Sequence, residues 1–94
     1  MKTNITFRHL KSEPELYDSA IELANSFEKF HEDIMSTDVI FTNDAQKSVE
    51  FTVRVQGSTL VGKDSSEDFH KSLSEASDKI VRQLRKWKTK RFGI

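Results

Sequence analysis

Cysteine is absent from the chain, which removes structural disulfides, thiolate metal sites and a cysteine nucleophile together. A reducing compartment suits such a composition. Glycine is scarce, and Gly57, Gly62 and Gly93 stand far apart, so no glycine-rich loop exists to cradle a phosphate. No apolar run is long enough to span a bilayer. The amino terminus, MKTNITFRHL, also lacks the apolar stretch of a signal peptide. A cytoplasmic protein with no membrane partner is expected. Net charge is missing too, because 15 basic and 15 acidic side chains cancel.

What is present is enough for one modest domain. The 94 residues are expected to form a single domain over 1–94, burying about 60–65% of the surface of the unfolded chain. Hydrophobic residues are 35% of the total and charged residues 32%, a balance that suits a small two-layer α+β fold. The cancelled charge conceals a polar layout. Between Ser12 and Glu50 ten acids face only Lys29 and Lys47, whereas every charged residue from Lys79 to Ile94 is positive.

Local patterns give the element order. Thr3 to Arg8 alternates, with Ile5 and Phe7 on one face, as a half-buried strand does. Ser12 is a candidate N-cap, and Pro14 suits a first helical turn. Leu16, Ala20, Leu23, Phe27 and Phe30 then form one apolar stripe, widened by Tyr17, Ile21 and Ala24, so a helix is expected from about Pro14 to Phe30. Met35 to Thr42 is β-prone. Ser48 to Gln56 is the cleanest strand, with Val49, Phe51, Val53 and Val55 on one side. Gly57-Ser58 reads as a hairpin turn and Thr59 to Lys63 as the returning strand, while Asn43 to Gln46 turns the earlier pair. Ser65 followed by Asp68 resembles an acidic capping box. Phe69, Leu73, Ala76, Ile80, Leu84 and Trp87 continue as a stripe to about Lys90, with Trp87 expected at the core or its edge. The expected fold is β-α-β-β-β-α, a four-stranded sheet with two helices packed on one face.

The end of the last helix carries the functional signal. With Ile80 at the centre of the buried face and about 100° per residue, Lys79, Lys86 and Lys90 share one flank, with Arg82 further round it. Arg85 lies toward the outer face and Lys88 on the other flank; Arg91 follows. Cations complement the negative end of a helix dipole by about 0.3–1 kcal/mol each, which accounts for two or three of them. A solubilising face normally mixes signs. A surface for a polyanion accounts for all seven, and RNA is favoured because nothing resembles a module that reads a DNA groove.

Catalytic constellations are missing. His9, His31 and His70 fall in separate elements without ligand spacing. Glu32-Asp33 and Glu67-Asp68 are neighbours whose side chains point apart, so they read as helix-end charges instead of an acid–base pair. No enzyme, metal, cofactor or small-molecule substrate is expected.

Asn4-Ile5-Thr6 with Arg8, the helix from Leu16 to Phe30, Gly57-Ser58-Thr59-Leu60, and above all Asp68-Phe69 with the run from Asp78 to Lys90 (DKIVRQLRKWKTK) resemble the ribosome hibernation-promoting and ribosome-associated inhibitor family, also known as sigma-factor modulation proteins. The resemblance spans nearly the whole chain and implies the same β-α-β-β-β-α order. It further implies a translation inhibitor that occupies the messenger- and transfer-RNA channel of the small ribosomal subunit during stress. Lys79, Arg82, Lys86, Lys88 and Lys90 would contact ribosomal RNA phosphates, joined by Arg8 and flanked by Arg85 and Arg91. Members of the family usually carry lysines on the first helix, where this chain has Leu23 and Ser26 among acids. That helix is therefore expected to face away from RNA or to touch ribosomal protein. The chain resembles a short form, without a ribosome-dimerising domain or extended tail. Two alternatives stand beside this reading. A generic double-stranded-RNA-binding domain reads A-form shape, but it would begin with a helix. A protein-interaction module would use the acidic first helix.

Overall fold

A computed structural model of the chain describes residues 1–30 and 33–91, with 88–91 described as backbone only. Its elements run β1 (Lys2–Arg8), α1 (Pro14–Phe27), β2 (Ile34–Asn43), β3 (Lys47–Val55), β4 (Ser58–Ser66) and α2 (Phe69–Arg91). The sheet order is β1-β2-β3-β4. β1 lies parallel to β2 across the α1 crossover, and the other neighbours are antiparallel. The expected β-α-β-β-β-α architecture is the one observed.

Strand alternation decides the two faces of the sheet. Thr37, Val39 and Phe41 of β2, Val49, Phe51, Val53 and Val55 of β3, and Leu60 of β4 are buried toward the helices. From the helix side Leu16, Ala20, Ala24, Phe27, Phe69, Leu73, Ala76, Ile80 and Leu84 meet them. Aromatic rings brace the layer: Phe27 stands edge-on to Phe51 at 5.4 Å, Phe41 edge-on to Phe69 at 5.8 Å, and Phe7 stacks on Phe41 at 4.9 Å. Edge and offset geometries of this kind add about 0.5–1.5 kcal/mol per pair beyond area burial. Gly62 lets α2 approach β4 closely, since a Cβ there would stand 2.6 Å from the Ala76 carbonyl oxygen.

Several boundaries depart from the sequence expectation for local reasons. The N-cap of α1 is Glu13, not Ser12, and it makes no side-chain capping bond. Pro14 holds its predecessor in the extended region, so the helix begins immediately after Glu13 and Ser12 is one residue too early to cap it. The α-helix stops at Phe27; Lys29 and Phe30 then donate backbone bonds three residues back, to Ser26 and Phe27. That tighter winding still delivers Phe30 to the core edge, whereas Tyr17 is exposed. Ser65 caps nothing: β4 continues through Ser66, and Ser65 pairs with Ser48. Asp68 caps α2 instead, its Oδ1 accepting the His70 N–H at 3.0 Å. The hairpin loop is Gln56-Gly57, one residue earlier than expected, because Val55 pairs with Ser58; Gly57 supplies the positive φ of 81°. At Met35 the β2–β3 register slips. This extra residue, as in a β-bulge, projects Met35 outward with 64% exposure.

Candidate nucleic-acid interface

α2 is seated on β4 by polar as well as apolar contacts. The Lys79 ammonium donates to the Lys63 carbonyl at 2.6 Å and lies 3.5 Å from the Asp64 carboxylate. One turn on, the Gln83 amide donates to the Val61 carbonyl at 2.6 Å. Both acceptors are backbone groups of an edge strand, and unpaired edge groups invite unwanted pairing. The buried Ser72 hydroxyl donates to the Lys47 carbonyl at 2.8 Å, nearer the start of the helix. Lys79 is thus partly neutralised by an acid that lies in a strand, and part of its charge is committed to holding the helix down.

Arg82, Arg85 and Lys86 are exposed on the outer surface of the same helix. Residues three and four apart on a helix are surface neighbours, so Arg82 adjoins both of the others. Among the described residues none of the three has an acidic partner within ion-pair distance. Arg85 lies over the Phe30 ring, 5.5 Å from its centroid, which holds the guanidinium on the α1 side. Like charges at this spacing oppose helix formation slightly. The helix tolerates them because its C-terminal dipole and its buried stripe offset the repulsion. What such a surface can do chemically is bind phosphates: guanidinium groups donate in pairs, and each contact releases condensed counterions. Lys88, Lys90 and Arg91 continue the helix, and their side chains lie outside the described residues, as do His31 and Phe92.

Arg8 does not join this patch. It is exposed at the end of β1 and sits in register with Thr42, which pairs with Ser48 and through it with Ser65. That row adjoins the start of α2, near Ser72, four residues along β4 from Val61, the strand residue that Gln83 bonds. It also faces away from the helices, since the neighbouring Phe7 packs on the core. The helix-free face has its own polar centre. Asp38 accepts from Arg54 and from Asn4, the latter at 3.0 Å. The Arg54 bond first, and the Asn4 bond second, hold the Asp38 carboxyl below the ordinary carboxylate range, against a smaller opposing effect of partial burial.

Sequence reasoning missed the contacts of Asp64 with Lys79 and of Phe30 with Arg85, and the bond by which Gln83 seats the helix on β4. A helical wheel marks the flank of Lys79 and Gln83 but contains no information about which strand lies beside it. α1 turns its acids outward: Glu13, Glu15, Asp18 and Glu22 are exposed. Between the helices runs an open groove lined by Ser19, Glu22, Leu23, His70, Leu73 and Ser74. Among the described residues no three metal-capable side chains come together, and no helix is long and apolar enough to cross a membrane.

Comparison with known proteins places this geometry. Residues 3–91 match the family model described as Sigma 54 modulation protein / S30EA ribosomal protein. A ribosome hibernation promoting factor from Pseudomonas putida is 29% identical over 95 aligned positions, covering 100% of this chain and 93% of the relative. A ribosome hibernation promotion factor from Bacillus subtilis is 29% identical over 96% of this chain and 50% of its own length. Among solved structures, a ribosomal subunit interface protein from Coxiella burnetii superposes with a TM-score of 0.87 at 23% identity, over 95% of this chain and 99% of that one. The N-terminal domain of Protein Y from Thermus thermophilus gives 0.84 at 14% identity, over 93% and 99%. At those identities the two structures speak for the fold.

Proposed function

Because the chain belongs to the Sigma 54 modulation protein / S30EA ribosomal protein family, we propose that it is a cytoplasmic, ribosome-associated hibernation factor. It binds the small subunit in the channel for messenger and transfer RNA, presents the basic face of α2 to ribosomal RNA, and so holds translation off. It acts by occupancy, without a catalytic step, a metal or a cofactor. The observation that carries this reading is the exposed group Arg82, Arg85 and Lys86, which has no acidic partner among the described residues. Lys88, Lys90 and Arg91 extend the contact, Lys79 contributes what charge Asp64 leaves it, and Arg8 makes a separate, peripheral contact.

Co-sedimentation of the purified protein with small subunits across a salt series tests the proposal. Neutralising about five phosphates gives a log–log slope of about −3.5 to −4.5. Saturable binding with such a slope supports the reading, and Lys86→Glu with Lys90→Glu is expected to abolish it. Binding that survives the double reversal removes α2 from the RNA contact. Absence of binding at low salt leaves the acidic face of α1 as the better candidate for a partner, a basic protein.

A further inference from the structure

The two edges of the sheet end differently. β4 has its outward carbonyls at Val61 and Lys63 occupied by Gln83 and Lys79 of α2. β1 is bonded to β2 on one side, and among the described residues nothing bonds its other edge. The helix layer also stops short of it. Thr3, Ile5 and Phe7 are only half-buried, while their register partners Thr37, Val39 and Phe41 are wholly buried. One further strand would complete both the hydrogen-bond ladder and the apolar layer, as in recognition by strand addition.

Charge selects the occupant. Lys2 and Arg8 are exposed on the helix-free face at the two ends of β1, about 20 Å apart at ~3.3 Å per residue. A second copy pairing antiparallel about Ile5 would set Lys2 against Arg8 twice, and an in-register parallel copy would set each cation against itself. Like charges directly opposite are destabilising. From this arrangement we infer that the free edge of β1 takes an extended acidic segment of a partner protein as a fifth strand. Its acidic side chains lie beside Lys2 and Arg8 on the helix-free face, and its apolar ones cover Ile5 and Phe7. The acids of α1 lie on the other side of the sheet; on the helix-free face Asp38 is engaged by Arg54 and Asn4, which leaves Lys2 and Arg8 without an ion-paired acid among the described residues.

The test uses the full chain and two blocked peptides, Glu-Val-Thr-Ile-Thr-Val-Glu and the same sequence with lysine at both ends, followed by amide NMR and hydrogen exchange at low salt. The acidic peptide is expected to shift and protect amides within residues 2–8 saturably, and to bind at least about tenfold more tightly than the lysine peptide. Lys2→Glu with Arg8→Glu, both exposed and checked for folding by their own spectra, should reverse that preference. Equal affinity for the two peptides, unprotected β1 amides, or shifts confined to residues 82–86 would each overturn the inference. The last outcome would mean simple charge attraction to α2, and unprotected amides would mean that the cations only ward off other strands. No ribosome is involved, so the result is independent of the proposed ribosome binding.

Discussion

α1 and α2 cover the same face of one sheet, yet they are held there by different forces. α1 starts without a side-chain cap and carries exposed acids. Its seat is apolar, built on Leu16, Ala20, Ala24 and Phe27. α2 has an aspartate cap, a longer buried stripe, and three side chains, Ser72, Lys79 and Gln83, bonded to strand carbonyls. A helix whose last turns carry like charges with no acid after Asp78 gains from such anchoring, because repulsion among those charges works against a fixed position. The difference also divides the cations of α2: Lys79 ties the helix down, while Arg82 and Lys86 have no acidic partner among the described residues.

The largest effect expected from breaking this comparison lies under α1. Phe27→Ala removes a fully buried ring and its edge contact with Phe51, and should cost about 3–5 kcal/mol, measured by urea unfolding. On the α2 side, Gly62→Ala forces a methyl against the Ala76 carbonyl and should cost about 1–3 kcal/mol, with a matching fall in thermal midpoint. Lys79→Met tests the tether. It should lower stability by about 0.5–1.5 kcal/mol through the lost bond to Lys63, while changing the salt slope of ribosome binding by less than Arg82→Gln, for which a reduction of about one unit is expected. A slope reduced equally by both variants would show that Lys79 leaves Asp64 when RNA arrives.

Smallest of all is the pair that neither helix touches. Asp38→Asn weakens the contact with Arg54, which is partly open to solvent, and should cost about 0.2–1 kcal/mol at neutral pH. The depressed Asp38 carboxyl stabilises the fold above the ordinary aspartate value of about 3.9. That contribution fades as pH falls through the lower folded-state value. The wild-type and Asp38→Asn unfolding curves should therefore converge toward low pH; a gap that widens there would remove Arg54 as the cause.

Much of the fold was legible because it depends on local period. The alternation of β3 from Val49 to Val55 and the stripe of α2 from Phe69 to Trp87 identify their buried faces wherever their neighbours happen to lie. Boundaries were less legible. Whether Ser65 caps a helix or pairs in a strand depends on how far β3 extends beside it, and Ser48, on that other strand, settles the matter. The candidate site was legible as a list of cations but not as an arrangement. Arg8 belongs to the resemblance, yet the register of the sheet sets it level with the start of α2 and on the opposite face from Arg82.

Composition and spacing by themselves determined the element types, the buried stripes and the segregation of acid from base along the chain, since each follows from the chemistry of residues within a few positions of one another. Only the tertiary structure decided which charges are free. Asp64 reaches Lys79 and Phe30 reaches Arg85 because the sheet brings distant segments together. The strength of a charge depends on the groups within a few ångströms of it, not on its neighbours in the chain.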